Sequence, residues 1–109
     1  MLGETRIAKK IKISEFINIL KDYKREDILC TPHIFFRFSE KQKEIFNCDT
    51  LKDIILEDSL FLVGIQYNER YALFYRYEDK ILKVILNLEN RKVKIVTFYF
   101  IQEWQIPKI

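Results

Sequence analysis

The hydrophobic period changes once along this chain, near residue 59, from helical to extended. Ile13, Phe16, Ile17, Leu20 and Tyr23 recur at three- and four-residue steps. That spacing predicts a first helix over about 14–24, with Ser14 as its cap. Thr31-Pro32 predicts the start of a second, with Thr31 as N-cap and Pro32 at the first helical position, where its missing N–H costs nothing. This helix is expected to run to about Phe46, with Ile34, Phe35, Phe38, Gln42, Ile45 and Phe46 on its core stripe, Gln42 being the one polar member. Asn47, Cys48 and Asp49 break the run, and Asp49 or Thr50 is expected to cap a third helix to about Glu57.

From Leu60 onward, β-branched and aromatic residues dominate in short runs divided by turn signals. Strands are expected at 60–67, 70–77, 81–88 and 92–101. Their short connections favour antiparallel neighbours. Leu82, Val84, Leu86 and Leu88 alternate with polar positions and predict a core face, as do Val93 and Ile95; continuing that alternation brings Thr97 and Tyr99 to the same side. The expected architecture is α+β: two or three N-terminal helices packed on one face of a four-stranded antiparallel meander. The chain then divides into an N-terminal extension (1–12), a helical part (13–58), a sheet (59–101) and a C-terminal arm (102–109) within one domain.

Composition narrows this picture. At 109 residues, 49% hydrophobic and 15% aromatic, the chain suits one ordered domain with a modest core. Abundant Lys, Glu and Ile fit a thermophilic source. A net charge of +3 permits nucleic-acid binding without demanding it. Residues 1–12 lack the apolar stretch of a signal peptide, and no run reaches the length of a membrane span, so a cytoplasmic protein is expected. Cys30 and Cys48 have no metal-ligand spacing and only one histidine to join them; two unremarkable thiols are the first expectation, a disulfide the second. No metal and no cofactor are expected.

The chemistry concentrates on the second predicted helix. His33, Arg37 and Lys41 follow one another at four-residue steps, which keeps them on one stripe at the border of the apolar face. A titratable imidazole beside two fixed cations suits metal-independent phosphodiester cleavage. The competing reading is a solvated mixed-charge face in which Arg37 pairs with Glu40 and Lys41 with Glu44. On the second strand, Arg70 and Arg76 share a face with Ala72 and Phe74 between them, a pattern that suits RNA contact or an ordinary amphipathic sheet. Tyr75 and Tyr99 are further candidates for RNA contact, against a default role in packing.

Thr31-Pro32-His33 leading into Arg37 and a basic residue at 41, then a further helix, a meander and a Val96–Tyr99 strand, resembles the barnase–EndoU–colicin–RelE-like nuclease superfamily. The resemblance covers residues 31–101 and rests on His33, Arg37 and Thr97; Lys41 stands where an arginine is usual, keeping charge but losing bidentate geometry. It implies a toxin-like endoribonuclease, neutralised by an antitoxin protein, that works by 2′-hydroxyl attack. In that reading His33 transfers protons, Arg37 and Lys41 offset phosphate charge, and Thr97 reaches from the helix-facing side of the sheet to a phosphate. Arg70, Arg76, Tyr75 and Tyr99 would hold RNA. The alternatives are a non-catalytic RNA-binding module, and a protein-interaction or assembly domain using the aromatic tail around Trp104, for which a homo-oligomer is open.

Overall fold

A computed structural model describes residues 6–30, 47–56 and 59–108. Among the described residues, six strands form one mixed sheet in the order β1-β3-β4-β5-β6-β2. They are β1 (Ile7–Ile11), β2 (Ile28–Leu29), β3 (Leu60–Gln66), β4 (Tyr71–Tyr77), β5 (Lys80–Glu89) and β6 (Lys92–Ile101). Two short α-helices lie among the described residues, α1 (Ile13–Leu20) and α2 (Cys48–Leu56). The expected two or three helices on a four-stranded meander is therefore corrected. Strands β3 to β6 do pair consecutively and antiparallel, but the sheet continues beyond them at both edges.

The added strands carry little hydrophobic signal. β1 was expected to be part of an extension, yet it pairs antiparallel with β3. Only Ile7 and Ile11 of its five residues are apolar apart from Ala8, and Lys9 and Lys10 are exposed on the sheet's edge. Lysines there deter pairing with a further chain. β2 joins the other edge through two residues, parallel to β6, with Ile28 opposite Val93. Gly64 of β3 permits a close approach: a methyl group at its Cα would fall 2.6 Å from Cγ2 of Ile7.

The connections explain why β3 to β6 are well marked. Glu89 pairs with Lys92, so the β5–β6 turn has two residues, Asn90 and Arg91, both at positive φ (51° and 60°). Those angles match the twist of a tight hairpin. Glu69 and Glu78 take positive φ in the two preceding turns.

Both helices pack on one face of the sheet. Phe16 and Leu20 of α1 and Leu51, Ile54 and Ile55 of α2 share a buried cluster with Val63, Leu73, Tyr75, Leu82, Val84 and Leu86. α1 begins at Ile13 after Lys12 and makes no side-chain cap bond, so Ser14 lies inside it rather than capping it. It ends at Leu20, whose carbonyl accepts the Tyr23 N–H at 2.9 Å as the chain turns away. α2 is capped by Asn47: its Oδ1 accepts from the Thr50 N–H (2.9 Å) and hydroxyl (3.1 Å).

Cys30 and Cys48 form a disulfide, with Cα atoms 6.0 Å apart, which corrects the first expectation of two thiols. It joins the end of β2 to the start of α2. Arg25 reinforces the same junction by bonding the Asp53 carboxylate and the Asp49 carbonyl (3.1 Å). No helix among the described residues is long and apolar enough to cross a membrane.

Candidate nucleic-acid interface

A β-bulge decides what the far side of the sheet presents. Along β5 and β6, Ile85 pairs with Thr97 but Leu86 pairs with Ile95, so Val96 is an extra residue. Directly opposed residues in an antiparallel pair point to the same side. Val93, Ile95 and Phe98 therefore join the helix-side core, while Thr97 and Tyr99 turn to the other face with Ile85 and Lys83. The expectation that Thr97 and Tyr99 continue the core face is corrected; the inserted residue shifts the alternation by one.

That other face has its own small core. Leu62, Ala72, Phe74 and Ile85 are buried there beneath Ile7, Phe61, Val96, Ile101 and Ile106. Around this apolar base runs a row of cations and rings. The Arg76 guanidinium carbon lies 4.7 Å from the centre of the Phe61 ring. Phe61 is 6.5 Å from Phe74, and Lys83 Nζ is 5.5 Å from the centres of both Phe74 and Tyr99. Each such contact contributes on the order of 0.5–1 kcal/mol where exposed. Arg76 also bonds Glu103 at 2.9 Å. Among the described residues, no ion pair involves Lys83.

The sequence candidates fall into three groups. Arg76, Tyr99 and Thr97 share this face. Arg70 lies just before β4, on the same alternation as Ala72, and donates its N–H to Asn68 Oδ1 at 3.1 Å. Tyr75 lies on the opposite face, fully buried, with its hydroxyl donating to the Ile55 carbonyl at 3.2 Å. Burial pushes its pKa well above that of a free phenol, and it has no open side from which to meet RNA. His33, Arg37 and Lys41 lie outside the described residues, as does the expected helix over 31–46. Their segment is bounded by the Cys30–Cys48 bridge, and Cys30 packs against the helix-side core. Thr97 is thus on the face opposite that anchor.

Lys83 and Phe61 were not singled out by sequence reasoning. Lys83 interrupts an apolar strand at a regular position, which marks it as outward but not as the neighbour of Tyr99. Phe61 is hidden in the run Leu60–Val63, where a second irregularity between Leu60 and Leu62 disturbs the alternation.

Elsewhere, an open depression of about 730 Å³ lies beside the β5–β6 turn, lined by Asp22, Lys24, Glu26, Asp27, Arg91 and Lys92 among others. Asp27 accepts from the Lys24 N–H (2.8 Å) and Lys92 Nζ (3.0 Å), which hold its carboxyl below the usual carboxylate range. Charges of both signs offset one another there, so it carries no net attraction for an anion. No family model, curated protein or solved structure matches this chain.

Proposed function

We propose that this domain binds single-stranded RNA across the sheet face opposite its helices. The supporting observation is a row on this face in which Arg76 lies over the Phe61 ring and Lys83 beside the Tyr99 ring, both pairs resting on the buried Phe74. RNA needs both parts: cations meet phosphates, and rings accept unpaired bases on their faces. Thr97 adds a hydroxyl to the same side. The net charge of +3 favours approach of a polyanion.

The direct test is anisotropy of a labelled oligoribonucleotide over a salt series. With about three phosphates neutralised, log affinity falls with log salt at a slope of roughly −2. Lys83→Ala is expected to weaken binding and make that slope shallower by about 0.7. Folded protein that leaves the oligonucleotide free at about 50 mM salt would overturn the proposal.

RNA cleavage is a second reading, carried by the four-residue spacing of His33, Arg37 and Lys41 in the sequence between Cys30 and Cys48. In this reading the ribose 2′-hydroxyl attacks phosphorus, a 2′,3′-cyclic phosphate forms, and the 5′-oxygen leaves with a proton. His33 transfers protons while Arg37 and Lys41 offset the charge on the phosphate. Cleavage in chelator, cut by a factor on the order of 100 in His33→Ala, would support it. Intact RNA after incubation with folded wild type excludes it.

As a toxin-like ribonuclease, the protein would meet an antitoxin that covers this sheet face or the bridged segment. We place it in the cytoplasm of a thermophile, a setting in which intracellular disulfides persist. Finding the two cysteines reduced in protein trapped by alkylation inside the source cells would contradict that assignment.

A further inference from the structure

Trp104 is the chain's single tryptophan, and it is 79% exposed. An indole is large and apolar, so tryptophan is highly buried on average in folded proteins. The backbone of Trp104 is anchored on both sides. It sits in a 3-10 turn (Glu103–Gln105) in which Gln105 Oε1 accepts the Gln102 N–H at 2.8 Å and the Gln105 N–H reaches the Gln102 carbonyl at 2.9 Å. Glu103, one residue before it, bonds Arg76. Ile106, two residues after it, packs into the small core of the far sheet face. The turn therefore lies along the row of cations and rings, fixed on both sides of an indole that packs against little of the protein.

Resting on the RNA-binding reading above, we infer that Trp104 is a stacking platform for one unpaired nucleobase, at the end of the strand's path across the sheet. The neighbouring phosphate takes the Arg76 guanidinium, displacing the Glu103 carboxylate that occupies it in the free protein. Arg76 is oriented for this by its position over Phe61. A base has a π-face whatever its identity, so the site reads single-strandedness rather than sequence.

The lone tryptophan is its own probe. A 2′-O-methyl oligouridine of about twelve nucleotides, which cannot be cut by 2′-attack, is titrated while emission and anisotropy are read together. Stacking quenches the indole with the same midpoint as the anisotropy change, and an abasic oligomer of equal length binds without quenching. Trp104→Ala is expected to weaken oligouridine binding about 5- to 150-fold, with its melting temperature unchanged, and Trp104→Phe to restore most of the loss. Glu103→Gln is expected to tighten binding by freeing Arg76. Binding by anisotropy with unaltered emission would overturn the inference while leaving the RNA-binding proposal intact; absence of binding would remove both. A blue shift with rising protein concentration and no RNA would instead make Trp104 a contact between copies of the chain, and would also overturn it.

Discussion

Thr97 lies directly across from Ile85, whereas the next residue of that strand, Leu86, faces Ile95. The two-for-one step at Val96 sends Phe98 toward the helices and Tyr99 away from them, and it predicts opposite phenotypes for adjacent aromatics. Phe98→Ala opens the helix-side core and is expected to cost about 3–5 kcal/mol. Tyr99→Ala is expected to cost about 1 kcal/mol or less, and to weaken RNA binding. Urea denaturation and anisotropy on both variants check the pair. The reversed pattern, with Tyr99 the stabilising residue, would mean that the alternation runs unbroken through Val96.

The same bulge shows where the sequence was readable and where it was not. β3 to β6 are marked by alternation and by turn residues such as Asn90-Arg91, so their positions emerge within about two residues. Which way Thr97 points does not, because a single inserted residue inverts every later side chain. The only trace is that Val96, Phe98 and Phe100 are as apolar as Val93 and Ile95, so strict alternation fails along β6. β1 hides because Lys9 and Lys10 protect an edge and give no period. β2 is too short to have one. The cysteine pair could not be assigned from spacing, since nothing local states that residues 18 apart meet. On the candidate face, Arg76 was legible as a basic residue on the same side as Phe74, but Lys83 and Tyr99 join it only through strand register and the bulge.

Tyr75 is a structural residue by this geometry, although its type and position suit RNA contact equally well on paper. Tyr75→Phe removes the hydroxyl bond to the Ile55 carbonyl and is expected to cost about 1 kcal/mol. RNA affinity should stay at the wild-type value. A loss of affinity in Tyr75→Phe without loss of stability would contradict the placement of this ring between the sheet and α2.

The Cys30–Cys48 bridge closes a loop between residues 18 apart and ties β2 to α2. Chain entropy alone gives such a loop about 3 kcal/mol of stabilisation. Reduction by a dithiol, or the paired replacement Cys30→Ala with Cys48→Ala, is therefore expected to lower the melting temperature by on the order of 10 °C or more. Calorimetry with and without reductant checks this, with the double variant as the control that must not respond. An equal melting temperature for oxidised and reduced wild type would show that Arg25, through Asp49 and Asp53, holds the junction without the covalent link.

Asp27 sets an acid limit on the junction between the 25–27 turn and β6. Its carboxylate accepts the Lys24 N–H first and the Lys92 ammonium second, and both favour the charged form. Its pKa is therefore lower in the folded chain than in the unfolded one. The stabilisation is present in full above the unfolded carboxylate range, near about 4, and disappears as pH falls through the lower folded value. The gap in urea midpoint between wild type and Asp27→Ala should be constant from about pH 7 to pH 5.5 and shrink below about pH 4. Because Ile28 follows Asp27 directly and pairs with Val93, losing this contact loosens the two-residue β2 strand before the rest of the sheet. Hydrogen exchange at Ile28 and Leu29 should accordingly accelerate in Asp27→Ala at neutral pH, while the β4 and β5 amides keep their protection. Uniform acceleration across the sheet would show instead that Asp27 acts on global stability and not on this edge.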